Sequence, residues 1–333
     1  MNLIIPMAGK GKRMRPHTLH TPKPLIPVGG KPIVQRLVED IASMVDEPIN
    51  EIGFIIGDFG EEVEKELLDI AEQQGATGKI YYQDVALGTG HAIYCAEPSL
   101  SGPVIVAFAD TLFRADFKID ATQDGVIWVK QIEDPSQFGV VKVNGEGVIT
   151  DFVEKPKEYV SDLAIIGIYF FKDGDHLKRE LKSLMDNNVV KGGEYQLTDA
   201  LENMKQQGVA FRPGKVDHWM DCGNKNATVE TNRMILGFAE NSRDVHVSAE
   251  VINSTLIEPV MIAEGVRIEN SVVGPHVSVG ANAKITDARV SDSIVRNDAV
   301  ISGAVLTNSL IGTHTEIKID PMDLSLGDFS TLA

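Results

Sequence analysis

The sequence predicts an α/β domain built on a largely parallel sheet, followed by a parallel β-helix. Two observations carry this. Up to about residue 240, short apolar runs alternate with segments of helical period, the pattern of strands joined by helical crossovers. After about residue 243 the helical period vanishes and small hydrophobics recur every six residues, as expected where short strands stack coil upon coil.

In the first region, Leu3-Ile4-Ile5-Pro6-Met7 is a buried strand that opens onto Ala8-Gly9-Lys10-Gly11-Lys12-Arg13-Met14-Arg15-Pro16. Glycines there permit positive φ and close approach of backbone N–H groups to a phosphate, and Lys10, Lys12, Arg13 and Arg15 offer charge to the same anion. A nucleotide site follows from that combination, although a bare G-x-G also suits a plain strand-to-helix turn. Met14 stands where the dinucleotide fingerprint needs glycine, and the chain holds no G-x-x-x-x-G-K-[ST] run. Further on, Pro22 and Pro24 flank Lys23 and limit where it can point.

Ile33, Leu37, Ile41 and Val45 form one helical stripe, and Val63, Leu67, Ile70 and Ala71 a second. Strands are expected at 52–56, 79–83, 104–109, 126–130 and 164–171. Residues 138–143 and 148–153 read as a hairpin, with Asn144-Gly145 supplying the positive φ of the turn and Glu154-Lys155-Pro156 at the far end.

In the second region the six-residue series are Val260, Val266 and Val272; Ile262 and Ile268; Val277 and Ala283; Val279 and Ile285; and Ile294, Val300 and Leu306, about four coils in all. A β-sandwich would alternate with period two instead. The expected boundaries are 1–240 for the α/β domain, 244–317 for the β-helix and 318–333 for a cap or tail.

Composition narrows the function. The 333 residues suffice for about two domains with substantial cores. A formal charge of −17 argues against nucleic acid or an anionic membrane as partner. Cys95 and Cys222 form no C-x-x-C pair, so no disulfide framework or zinc site is expected and a reducing cytoplasm fits. No apolar stretch approaches the ~18 residues of a membrane span, and the strand-like N-terminus lacks the layout of a signal peptide. The eight histidines are scattered and are read as structural or surface.

The string Gly9-x-Gly11-x-Arg13-Met14-x-Pro16, then Pro22-Lys23-Pro24-x-x-Pro27-Val28 and Lys31-Pro32, resembles the signature of the sugar-1-phosphate nucleotidyltransferases. Within that family the resemblance points to glucose-1-phosphate thymidylyltransferases carrying a C-terminal hexapeptide-repeat domain. It implies a Rossmann-like, mixed but mostly parallel catalytic domain and a β-helix that winds left-handed. The implied reaction is attack by a sugar phosphate oxygen on the α-phosphorus of a nucleoside triphosphate, with Mg2+ as cofactor and pyrophosphate leaving.

The resemblance also implies residue roles. Asp110, at the end of a strand, and Asp221, in Trp219-Met220-Asp221-Cys222-Gly223, would hold the metal, a sufficient pair for magnesium; each also suits an ordinary turn. Ala109 stands where the family often has glycine. Arg13 would stabilise the leaving pyrophosphate as a permanently charged fork, Lys23 would contact phosphates near the reacting centre, and Ala8, Gly9 and Gly11 would line the nucleotide. Lys12 stands where relatives often have threonine. In Gln83-Asp84-Val85-Ala86-Leu87-Gly88-Thr89-Gly90-His91-Ala92, Gln83 and Gly88 would read the nucleobase with Thr89 nearby, and Gly88 and Thr89 suit a helix cap equally. Glu154 would hold sugar hydroxyls and Lys155 the sugar phosphate, where an arbitrary Glu-Lys dipeptide would be a surface ion pair. Gly139 would let the sugar approach the backbone, and Phe138 lacks the hydroxyl of the tyrosine relatives often carry. Glu194 would touch the sugar, with Thr198 or Asp199 read as a helix N-cap.

The implied substrates are glucose 1-phosphate with dTTP or UTP, or alternatively mannose 1-phosphate with GTP. A β-helix with exposed ends suggests a homo-oligomer. His276 and His314 leave room for an additional acyl transfer in the repeat domain. A silent regulatory paralogue would usually have lost a metal carboxylate or the loop arginine, and Asp110, Asp221, Arg13 and Lys23 are all present.

Overall fold

The computed structural model describes residues 1–115 and 118–331, so Leu332 and Ala333 of the expected tail lie outside the described residues. The chain divides into two compact units, Met1–Ile26 with Lys31–Asn224, and Pro27–Gly30 with Lys225–Ala333. Among the described residues, no helix is long and apolar enough to cross a membrane.

The first unit is organised on the strand Asn2–Pro6, which pairs in parallel with Glu51–Ile56 on one side and Val104–Ala107 on the other. Leu3, Ile4 and Ile5 are fully buried, so both faces of this strand are covered, as an unbroken apolar run requires. Thr77–Tyr82 extends the sheet in parallel beyond Glu51–Ile56. Beyond Val104–Ala107 the direction reverses: Leu163–Phe171 runs antiparallel and pairs with Gly125–Gln131 and, at Ala164↔Val140, with the hairpin strand Gly139–Val143. Phe211–Lys215 lies parallel to Gly125–Gln131.

Helix Ile33–Met44 buries Ile33, Leu37 and Ile41 of the expected stripe together with Val34, Val38 and Met44, while Val45, the stripe's fourth member, is buried just past the helix end. Helix Glu61–Gln73 starts with Glu61, Glu62 and Glu64 in its first turn, acids that favour a helix N-terminus. It stops because Gly75 adopts φ +71° and donates to Glu72 O at 2.8 Å while Ala76 N–H reaches Ala71 O at 3.1 Å, the paired bonds of a Schellman ending.

Gly139–Val143 and Ile149–Glu154 pair antiparallel, with Glu154 opposite Gly139. The turn differs from expectation. Its positive φ falls on Gly147, at +75°, rather than on Asn144-Gly145. Asn144 instead braces the turn through its side chain, whose Oδ1 accepts N–H bonds from Glu146 and Val148, both at 3.0 Å. An Asx side chain thus does the work assigned to an Asn-Gly backbone.

The second unit carries three parallel sheets with strand orders of five, five and four. Their register steps first by 17 residues (Arg243↔Val260↔Val277) and then by 16 (Val277↔Ser293). Three hexads would make 18, so each coil omits a residue or two at its corners. Val245, Ile262, Val279, Val295 and Ile311 form one column facing the core, and Ile268, Ile285 and Ile301 lie in another.

The shortened coils shift the phase of two expected series. Val272 stands in the outward column of Thr255, Arg289 and Val305, and the neighbouring Val273 is fully buried in its place. Ile294 points away from the coil interior, in the column of Met261, Ser278 and Leu310, yet it is only 1% exposed because helix Lys225–Phe238 covers that face. Asn232 of this helix accepts from the Ser278 hydroxyl at 2.6 Å. Val300 faces outward at 37% exposure, and the neighbouring Ile301 is fully buried in its place.

Asn and Asp in the intervals are explained by the corners. Asn253, Asn270, Asp287 and Gly303 stack at one corner and Gly265, Asn282, Asp298 and His314 at another, all with positive φ, where Gly, Asn and Asp are the tolerant residues. His276, Asp292 and Asn308 form the third such ladder, with His276 Nδ1 3.0 Å from Asp292 Oδ1. His276 and His314 are thereby accounted for as corner residues.

Candidate functional site

The loop after the first strand is held by its own backbone. Gly11 adopts φ +55° and starts a single 3-10 turn, Lys12–Met14. A Cβ at Gly11 would come within 3.0 Å of the Thr18 methyl, and the Thr18 hydroxyl donates to Gly11 O at 2.8 Å. Met14 is fully buried and anchors the turn, which leaves Lys12 and Arg13 exposed on its other side.

This loop forms one wall of a cavity of about 410 Å3. Its lining includes Ala8, Gly9, Gly11, Arg13, Lys23, Gln83, Gly88, Thr89, Asp110 and Glu194. Residues spread over nearly 190 positions of sequence are thus brought together at one end of the sheet, outside the carboxyl ends of parallel strands. The four loop cations do not all face it. Lys12 and Arg13 line this cavity, whereas Lys10 and Arg15 line a neighbouring one of about 290 Å3 with Thr18, His20 and Asp58, and Lys23 borders both. The 3-10 turn Lys12–Met14 presents its two cations to one cavity, and the residues flanking it, Lys10 and Arg15, face the other, which the sequence pattern could not show.

Asp110 and Asp221 are brought side by side by backbone pairing. Strand His218–Asp221 runs antiparallel to Thr111–Arg114, with Asp221 opposite Thr111, and Cys222 N–H donates to Asp110 O at 3.0 Å. Lys23 donates to Asp110 Oδ2 at 2.9 Å. Burial pushes the Asp221 carboxyl above its ordinary range, and the nearby Asp110 adds to this; the Gly223 N–H bond, Lys23 and Arg13 pull the other way. A Cβ at Gly223 would lie 2.9 Å from Asp221 Oδ1 and 3.2 Å from Arg13 Nη2, so the absent side chain lets guanidinium and carboxylate approach.

Two carboxylates that repel one another at neighbouring strand ends suit a divalent cation, which would relieve the repulsion. Among the described residues no group of three or more His, Cys, Asp or Glu is placed to hold a metal. A cation here would complete its shell with phosphate oxygens and water, as magnesium usually does.

Also on the cavity, Gln83 follows strand Thr77–Tyr82 and donates from Nε2 to Gly88 O at 3.2 Å. Gly88 has φ +107°, and a Cβ there would meet Tyr195 O at 2.6 Å. It precedes helix Thr89–Tyr94 without any side-chain cap. Thr89 Oγ1 accepts instead from Leu197 N–H at 3.0 Å, tying this helix to the start of Leu197–Gln206.

Gly139, Glu154, Lys155 and Asp221 do not line the cavity. The first three form a group of their own: Glu154 Oε2 would be 3.0 Å from a Cβ on Gly139, and Lys155 Nζ is 3.7 Å from Glu154 Oε1. Burial raises the Glu154 carboxyl above its ordinary range; Lys155 opposes this, and the charges of Glu194 and Asp199 add to it. Glu194 lines the cavity and acts on Glu154, so the two groups adjoin. Lys155 holds a positive φ of 41°. Phe138 packs edge-on against Trp219, with ring centroids 4.9 Å apart, so its apolar ring has a packing partner where a tyrosine would add a hydroxyl.

One pair escaped the sequence reading. Asp199 is buried, and its Oδ1 pairs with Lys191, while Oδ2 is buried with no hydrogen-bond partner among the described residues. Neither Thr198 nor Asp199 is the N-cap of its helix; Gln196 occupies that position. An acid in the first turn of a helix, five residues after Glu194, is the available signal.

Comparison with known proteins bears on the family and the fold. The family model described as "Nucleotidyl transferase" matches residues 3–237. A glucose-1-phosphate thymidylyltransferase of Streptomyces griseus is 28% identical across 99% of this chain and 98% of its own length. A bifunctional protein GlmU of Methanococcus maripaludis is 31% identical over 81% of this chain, and the match covers 62% of that protein. A UDP-glucose pyrophosphorylase structure with UDP-glucose bound superposes with a TM-score of 0.59 at 24% identity, over 72% of this chain and 99% of that one, a likeness of fold. The fold is the expected one, a mixed, mostly parallel catalytic sheet followed by a left-handed parallel β-helix, and the chain belongs to the nucleotidyl transferase family.

Proposed function

We propose that the protein joins a sugar 1-phosphate to the nucleotidyl group of a nucleoside triphosphate, with glucose 1-phosphate and dTTP or UTP as first choice and Mg2+ as the metal. The observation that carries this reading is the convergence of Arg13, Lys23 and Asp110 with Gln83 and Gly88 on one cavity. The same cavity thus carries these two cations and, from other segments of the chain, an amide beside a glycine shelf.

The chemistry asks for little acid–base help. A phosphate monoester has a second pKa near ~6, so its oxygen is already anionic at neutral pH. That oxygen forms a bond to the α-phosphorus, the bond from the α-phosphorus to the bridging oxygen breaks, and pyrophosphate leaves with the electron pair. The task is to position two anions and neutralise the charge between them, which fixed cations do well in an enclosed site. Arg13 and Lys23 supply those charges. A metal held by Asp110 and Asp221 would screen the phosphates further when bound.

Gln83 and Gly88 take the nucleobase. Glu154, Gly139 and Glu194 take the sugar, with Lys155 on its phosphate. A homo-oligomer assembled through the β-helix completes the reading, and a sharp monomer peak in light scattering would count against that part.

The test is pyrophosphate release with magnesium, across dTTP, UTP, GTP, CTP and ATP against glucose, mannose, galactose and N-acetylglucosamine 1-phosphates. A signal in one combination that disappears in Asp110→Ala supports the reading and names both substrates. Silence across the matrix from folded protein overturns it.

A further inference from the structure

His91 lies behind the cavity wall and does not line it. We propose that His91 is a positioning residue for nucleobase selection, holding the Gln83 amide so that only its carbonyl oxygen faces the nucleotide. This rests on the reading of Gln83 as the base contact.

The hydrogen bonds of the Gln83 amide fix its orientation. Gln83 Nε2 lies 3.2 Å from Gly88 O and 3.0 Å from His91 Nδ1. An amide nitrogen only donates, so Nδ1 must accept and the imidazole carries its proton on Nε2. With Gly88 O and Nδ1 both accepting, the two amide hydrogens of Gln83 are committed. Cys95 Sγ, one helical turn along, stands 3.9 Å from the same Nδ1. Burial lowers the His91 pKa and raises that of the Cys95 thiol, which keeps the ring neutral and the sulfur a donor toward it. Donation from Gln83 and from Cys95 thus converges on the single lone pair of Nδ1, which the amide holds at 3.0 Å while the thiol stands off at 3.9 Å.

Gln83 Oε1 then meets the base as an acceptor. Uracil and thymine present a ring N3–H to such an acceptor, and guanine an N1–H. Cytosine and adenine present a bare ring nitrogen at the matching place, and two lone pairs would face each other. A site built around one hydrogen-bond polarity rejects the wrong partner because a buried polar group is left unpaired.

The experiment compares kcat and KM for UTP, dTTP and CTP in the wild type, His91→Leu and His91→Asn. The asparagine carbonyl can replace Nδ1 as acceptor, whereas leucine cannot. The expected result is that His91→Leu lowers the preference for UTP or dTTP over CTP by about tenfold or more, through KM for the preferred nucleotide, with kcat changed less than ~3-fold. His91→Asn restores the preference. Equal preference in His91→Leu and wild type overturns the proposal, as does equal damage in both variants or a wild type that favours CTP.

Titration of UMP and CMP binding separates this from the catalytic reading. A His91-dependent preference for UMP in a protein that turns over nothing would sink the proposed reaction and leave the positioning role standing. Should His91→Leu not fold, nitrogen NMR of the wild-type imidazole decides the matter: an unprotonated Nδ1 at neutral pH is expected, and a protonated one overturns the assignment.

Discussion

The Lys23 ammonium and the Asp110 carboxylate form an asymmetric pair: at 2.9 Å separation, the lysine side chain is 11% exposed and the aspartate 45%. The cation is enclosed by the fold, while the carboxylate stands open to the cavity. Such a pair adds little to stability because the open partner is solvated. Lys23→Met should therefore shift the melting temperature only slightly while slowing pyrophosphate release by about a hundredfold or more. A variant that melts early but retains full turnover would show that the pair is structural.

Asp40 provides a pH prediction. Burial pushes its carboxyl up to about 7, against the pull of Arg36. Between the ordinary value near ~3.9 and about 7 the folded protein holds the proton that the unfolded chain has released, so this group's contribution to stability falls as pH rises through that window. Asp40→Asn removes the titration. Losing the partner of Arg36 adds an offset, but the variant should gain on the wild type steadily from about pH 4.5 to about pH 7.5. Melting curves that keep a constant difference over that range would rule the titration out.

Gly88→Ala tests the shelf beneath the base. Its φ of +107° and the 2.6 Å approach to Tyr195 O leave no room for a methyl group. Backbone strain of this kind costs about 1–3 kcal/mol, and displacing the shelf should raise KM for the nucleotide about tenfold while KM for the sugar phosphate holds. Unchanged kinetics for both substrates would remove Gly88 from the site.

In the β-helix, neighbouring residues should differ sharply. Ile301→Ala deletes methyl groups from the coil interior and should cost about 2–5 kcal/mol. Val300→Ser, on the outer surface, should stay within about 0.5 kcal/mol. Denaturant melts of the two variants check this, and equal losses would contradict the phase of the coil.

Much of this could be read from the chain. The strand and glycine loop at residues 3–16, the helical stripes and the stacked coils are local patterns, and each side chain's partner is set by spacing. What the sequence withheld depends on distant partners. Ile294 looks like a coil-interior residue until helix Lys225–Phe238 is known to cover it. Lys10 and Arg13 look equivalent until one tight turn separates them. His91 sits inside a glycine-rich string whose evident meaning was a base contact, and only the placement of Gln83 and Gly88 around it gives the ring a task. Asp199 likewise reads as a cap until Lys191 is found beside it.

The stepped register of the β-helix sets how that domain can lengthen or shorten. Each coil closes on itself after 16 or 17 residues and adds about 4.8 Å along the stack. Insertions or deletions of one whole coil leave every corner residue above a corner and every core residue above a core residue. A change of six residues, although it matches the apparent repeat, rotates all later side chains onto a different wall of the prism. Length in this domain is therefore quantised by the coil, and natural variation in it should come in whole turns.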